Sequence, residues 1–129
     1  MRTPLTAHHA SMVGKAVKWL GDGVMLYFRD ARPVVGAALS MLESVVGAGL
    51  ARAHVGVHTG PVVFQEGDYF GRTVNIAARI TDYARPGEVL VSEAALSVSQ
   101  DPEVRFAEVG PVDLKGISEP VRLYSVHRR

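Results

Sequence analysis

The feature that most constrains the fold is an early run of strand-forming residues on either side of Gly21-Asp22-Gly23. Residues 16–20 and 24–28 are rich in β-branched and aromatic side chains, and the glycine-rich link between them predicts a β-hairpin. Beyond the hairpin, Asp30 is placed to cap a helix, with Pro33 tolerated in its first turn. Val35, Ala38, Leu39, Leu42, Val45 and Val46 share one apolar face, and Gly47 and Gly49 end the helix. Residues 50–58 read as a strand with Val55 and Val57 on one face. Thr59-Gly60-Pro61 breaks it, 62–65 is a short strand, and Glu66-Gly67-Asp68 makes a turn. A second helix is predicted over 73–83, closed by Pro86-Gly87. A strand over 88–91, a short helix capped by Ser92, and strands over 104–109 and 121–126 complete the chain. Strands and helices alternating irregularly, with hairpins, predict an α+β fold, a ferredoxin-like antiparallel sheet with packed helices. Such a fold hosts many functions.

At 129 residues the chain fits one domain, and no repeat, low-complexity tract or linker divides it. With 47% hydrophobic and 21% charged residues it has the composition of a globular protein. A net charge of +1 gives no field that would announce nucleic acid or a membrane as partner. The absence of cysteine excludes disulfides and thiolate metal sites. Residues 1–13 lack a signal-peptide apolar stretch, and the most apolar region, 33–51, is interrupted by Ser40, Glu43, Ser44 and glycines. A soluble, cytoplasmic protein is therefore expected.

Three motifs carry candidate chemistry. In the hairpin, Asp22 projects from a turn, where its carboxylate could serve a hard cation such as Mg²⁺; a plain turn aspartate beside an exposed Lys18 explains the same residues. In the second helix, Asn75 and Arg79 lie four apart and share a face, which suits an amide and a guanidinium fork holding a sugar and a phosphate. A solvated helix face is the alternative, although alanines surround this arginine. The third, Gly56-Val57-His58-Thr59-Gly60-Pro61, reads as a strand end and turn whose glycines supply backbone freedom, and His58 has no second ligand at metal spacing.

In order, Lys18-x-x-x-Asp22, His58-Thr59-Gly60, Asp68, Val74-Asn75-x-x-x-Arg79 and Leu114-Lys115-Gly116-Ile117 resemble the class III adenylyl/guanylyl cyclase catalytic domain, from about Val13 to the C-terminus. The resemblance implies the nucleotide cyclase fold and conversion of ATP to 3′,5′-cyclic AMP and pyrophosphate in intracellular signalling. By it, Asp22 is one of two carboxylates holding a pair of Mg²⁺ or Mn²⁺ ions, and Lys18 and Asp68 read the adenine edge. Asn75 positions the ribose, Arg79 stabilises charge on the attacked α-phosphoryl group, and Lys115 reaches the triphosphate. The resemblance also implies a head-to-tail homodimer or heterodimer, Asp22 serving one site and Lys18, Asp68, Asn75 and Arg79 the other.

One departure qualifies these expectations. The family carries its first metal aspartate on a strand well before the hairpin, yet residues 1–21 contain no Asp or Glu, and His8 and His9 are poor Mg²⁺ ligands. The domain, 1–129, thus reads as incomplete at its N-terminus and weak or inactive as this chain, with a gap in the sheet that a dimer contact or strand exchange would cover. The alternative is a non-catalytic cyclase-like module that dimerises or binds a nucleotide. An RNA-binding domain is disfavoured because no strand carries a basic-aromatic cluster. A cyclic-dinucleotide synthase is disfavoured because the hairpin lacks an acidic pair.

Overall fold

The computed structural model describes residues 14–20, 23–28, 32–49, 53–60, 63–65, 68–99 and 101–129, giving the backbone path alone in 14–20, 23–28, 63–65 and 68–70. The expected hairpin is present: β1 (Gly14–Leu20) pairs antiparallel with β2 (Gly23–Phe28), with a register shift between Ala16 and Lys18. Asp22 and Asp30 lie outside the described residues. Helix α1 (Val34–Gly47) starts with Pro33 at its N-cap and no side-chain cap, so it begins later than an Asp30 cap would place it. It ends before Gly49, whose φ of 105° suits glycine.

The next strand, β3 (Val55–Val57), is much shorter than the predicted 50–58. A second hairpin follows, β4 (Val63–Gln65) against β5 (Asp68–Phe70), with Gln65 opposite Asp68. Asp68 therefore opens a strand, where the sequence predicts the last residue of a turn. Helix α2 (Arg72–Tyr83) leads to β6 (Val89–Ser92), and the short α3 (Glu93–Val98) leads to the long pair β7 (Val104–Val112) and β8 (Val121–Arg128). As predicted, Ser92 caps α3, its hydroxyl accepting the Ala95 N–H at 3.2 Å.

The central sheet has four strands in the order β3-β6-β8-β7. β6–β8 and β7–β8 are antiparallel, whereas β3 and β6 run parallel, as a crossover through α2 requires. The α+β class stands, with this parallel pair inside an otherwise antiparallel sheet.

Alternation along β6 divides the core in two. Val89 and Val91 face Val35, Ala38, Leu39, Leu42 and Val45 of α1, together with Val57 and Ala95. Leu90 points the other way, with Leu123, onto Ile76 and Ile80 of α2. Both faces of β6 are thus covered, which explains an apolar run without polar alternation. Each fully buried Leu, Ile or Val contributes about 1.5–3 kcal/mol relative to exposure, so the inner stripe of α2 anchors that helix firmly. Among the described residues no helix is long and apolar enough to cross a membrane.

Candidate active site

Helix α2 is amphipathic by position. Ile76 and Ile80 are buried, which turns Asn75 and Arg79, one turn apart, toward the surface. Asn75 is exposed and its backbone N–H donates to Gly71 O at 3.1 Å, within the first turn. The Arg79 side chain is 37% exposed, and its Nη1 lies 3.5 Å from Asp82 Oδ2 on the next turn. So open an ion pair, spaced i to i+3, adds little stability and leaves the guanidinium available to another anion.

The second wall comes from the turn after β7. Leu114 is 5% exposed and packs in the α2 side of the core, while Ile117 N–H donates to Leu114 O at 3.0 Å. Gly116 takes a φ of 78°, a conformation other residues rarely adopt. The Leu-Lys-Gly-Ile motif thereby has a physical reading: an apolar anchor, a tight turn, and Lys115 held out at the rim. Arg79, Asp82 and Tyr83 line one side of an open concavity of about 280 Å³, and Asp113, Leu114 and Lys115 line the other. Two sequence-predicted residues, Arg79 and Lys115, are brought together here; Asn75 lies a turn away along α2. Asp82, Tyr83 and Asp113 were not anticipated. Only their closeness in sequence to Arg79 and Lys115 could have suggested them.

Lys18 falls in β1 and Asp68 at the start of β5. β5 packs against both β1 and α2, so the strand bearing Asp68 touches the strand bearing Lys18 and the helix bearing Asn75 and Arg79. Asp22 is outside the described residues, as are His8 and His9. Among the described residues no group of three or more His, Asp or Glu could hold a metal ion, so these residues alone do not make a metal seat. His58 bonds instead to a protein group, its Nδ1 lying 2.6 Å from Ser92 Oγ.

An amphipathic helix in a parallel crossover, with an exposed amide and an arginine that shares an open concavity with a lysine-bearing turn, is the arrangement this α+β domain presents. Residues 10–128 match the Adenylate and Guanylate cyclase catalytic domain, and the chain belongs to that family. It is 38% identical over 117 residues to a pH-sensitive adenylate cyclase of Mycobacterium tuberculosis, covering 87% of this chain and 30% of that protein. It is 39% identical over 85 residues to a receptor-type adenylate cyclase of Trypanosoma congolense, covering 59% of this chain and 11% of that protein. The chain thus spans less than a third of the length of these relatives. Among solved structures, an adenylate/guanylate cyclase/hydrolase from Silicibacter pomeroyi superposes with a TM-score of 0.84 at 27% identity, covering 97% of this chain and 79% of that one. A Trypanosoma brucei adenylate cyclase in its monomeric state gives a TM-score of 0.81 at 21% identity, covering 99% and 79%, which shows the shared fold.

Proposed function

We propose that this domain binds ATP and converts it to 3′,5′-cyclic AMP and pyrophosphate. The observation that carries the reading is the convergence of Arg79 and Lys115, from separate elements, on one open concavity. In the reaction the ribose 3′-oxygen attacks the α-phosphorus and pyrophosphate leaves, so negative charge shifts along the phosphate chain. The Arg79 guanidinium meets that charge with a planar fork, Lys115 supplies a point charge to the triphosphate, and the Asn75 amide orients the ribose. We assign Lys18 and Asp68 to the adenine edge, an ammonium donor to a ring nitrogen and a carboxylate acceptor for the exocyclic amine. Asp22 would hold Mg²⁺ or Mn²⁺ for the site of a second cyclase domain in a head-to-tail dimer, where the cation would neutralise phosphate charge.

The selectivity follows from the base-reading pair. Titration of the chain should show tighter binding of ATP than of GTP, and Lys18→Ala or Asp68→Ala should erode the difference. Loss of one such polar contact costs about 1–3 kcal/mol, well within the reach of calorimetry. Equal affinity for both nucleotides, or an unchanged preference in both variants, would remove these residues from the site.

A second reading is a nucleotide-binding dimerisation module without turnover, consistent with the described residues offering no group of three or more His, Asp or Glu that could hold a metal ion. Incubation with ATP and Mn²⁺ separates the two: ATP binding with cyclic AMP formation supports the enzyme, and ATP binding with no cyclic AMP supports the module. Failure to bind ATP at all overturns both.

A further inference from the structure

The segment His58-Thr59-Gly60 follows β3 and lines no part of the concavity. His58 is half-buried, and Ser92, 2.6 Å from its Nδ1, is 1% exposed. The Ser92 oxygen already accepts the Ala95 N–H as the cap of α3. A serine hydroxyl has one proton to donate and two lone pairs, so with Ala95 N–H on one lone pair it can still either donate to the His58 ring or accept from it, according to the tautomer. When Ser92 is the donor, its proton points to Nδ1 and the neutral imidazole carries its hydrogen on Nε2. Two residues on, the backbone comes against α2: a Cβ built on Gly60 would lie 2.7 Å from Thr73 Oγ1.

We propose that His58 is a positioning residue: its Nδ1, as acceptor, ties the 58–60 segment to the buried Ser92 hydroxyl, and that segment braces the first turn of the helix bearing Asn75 and Arg79. The consequence for nucleotide handling rests on the cyclase reading above; the brace itself does not.

Among the described residues, the groups that act on the ring are Ser92, at the end of β6, and Arg72, at the start of α2. Burial first, and the positive Arg72 second, push the His58 pKa below its ordinary 6.5. Folding thus favours the neutral ring. Its contribution to stability is complete above 6.5 and is lost as pH falls from there through the lowered folded-state value. Protonation at Nδ1 also strips the Ser92 hydroxyl of its acceptor.

The test uses the whole 129-residue chain. Nitrogen NMR at neutral pH should find His58 unprotonated at Nδ1 and protonated at Nε2. Hydrogen exchange at the Asn75 and Ile76 amides should accelerate about tenfold or more in His58→Leu, the effect of orphaning a buried hydroxyl, while α1 amides stay as they are. His58→Asn, whose Oδ1 can accept in place of Nδ1, should keep nearly wild-type exchange at those positions. The urea midpoint of the wild type should fall more than that of His58→Asn as pH drops from about 7.5 to about 5.5. A proton on Nδ1, unchanged exchange in His58→Leu, or equal acceleration in both variants would overturn the proposal. None of these readouts involves nucleotide, so their failure leaves the cyclase reading to the ATP titration.

Discussion

Gly56→Ala will destabilise the chain by about 3 kcal/mol or more, because the added methyl meets backbone rather than a yielding side chain. Gly56 is the middle residue of β3, opposite Leu90, on the sheet face that receives α2. A Cβ built there would collide with the Thr81 backbone nitrogen and lie 2.6 Å from Thr81 Oγ1 and 2.8 Å from the Ile80 carbonyl carbon. Neither neighbour can retreat easily. Thr81 Oγ1 donates to Ala77 O at 2.9 Å, and Ile80 is wholly buried between the helix and the sheet. Relief requires α2 to lift from β3, which opens a void around Ile76 and Ile80 and carries Asn75 and Arg79 away from the Lys115 turn. Gly47→Ala is the matched control. Gly47 closes α1, a Cβ there meets nothing within 4 Å, and the substitution should be neutral or stabilising by up to about 1 kcal/mol. Urea unfolding of the two variants checks the argument. Comparable midpoints for Gly56→Ala and Gly47→Ala would show that β3 and α2 do not approach this closely.

Gly56 also marks the limit of what the sequence makes legible. Read locally, it belongs with Gly60 to a turn motif and needs no further explanation. Its role as the contact point of a strand and a helix depends on residues 24 and 25 positions away, Ile80 and Thr81, and no local pattern encodes that approach. The longer elements are readable because each carries its own local signal: the strand-forming residues of β7 and β8, and the isoleucines of α2 spaced one turn apart. Ser92 was readable as a cap because capping needs only a hydroxyl within reach of its own helix. The three-residue strand β5 was not, because Asp68-Tyr69-Phe70 is too short to alternate visibly and follows a Glu-Gly pair that signals a turn. At the candidate site, the common face of Asn75 and Arg79 follows from helical geometry. Lys115 was readable only by resemblance, since the fold rather than the spacing brings it opposite Arg79 across the concavity. Asp82, Tyr83 and Asp113 share that concavity for the same tertiary reason.

Arg79→Ala should weaken ATP binding by about tenfold or more and reduce whatever cyclic AMP formation the chain supports by about a hundredfold or more. Charge-assisted hydrogen bonds are worth about 1.5–3 kcal/mol each, and removing a donor aimed at developing charge typically costs about 10²–10³ in turnover. The two numbers differ because the guanidinium would hold the triphosphate in the ground state and meet additional charge only as pyrophosphate departs. Arg79→Lys should recover part of the binding and little of the turnover, since an ammonium restores the charge but not the planar fork. Asp82→Ala provides the opposing test. Asp82 sits 3.5 Å from Arg79 Nη1, yet its side chain is 70% exposed, so solvent screens the pair and its loss should leave folding stability nearly unchanged. Freed from that counter-charge, Arg79 should bind ATP as tightly as in the wild type or more so, with the gain shrinking as salt is raised. The measurements are calorimetric titration with ATP and with inorganic pyrophosphate, at low and high ionic strength, beside urea unfolding of each variant. If Arg79→Ala binds both ligands with wild-type affinity while remaining folded, the guanidinium does not face the nucleotide, and the concavity it shares with Lys115 is not the phosphate site.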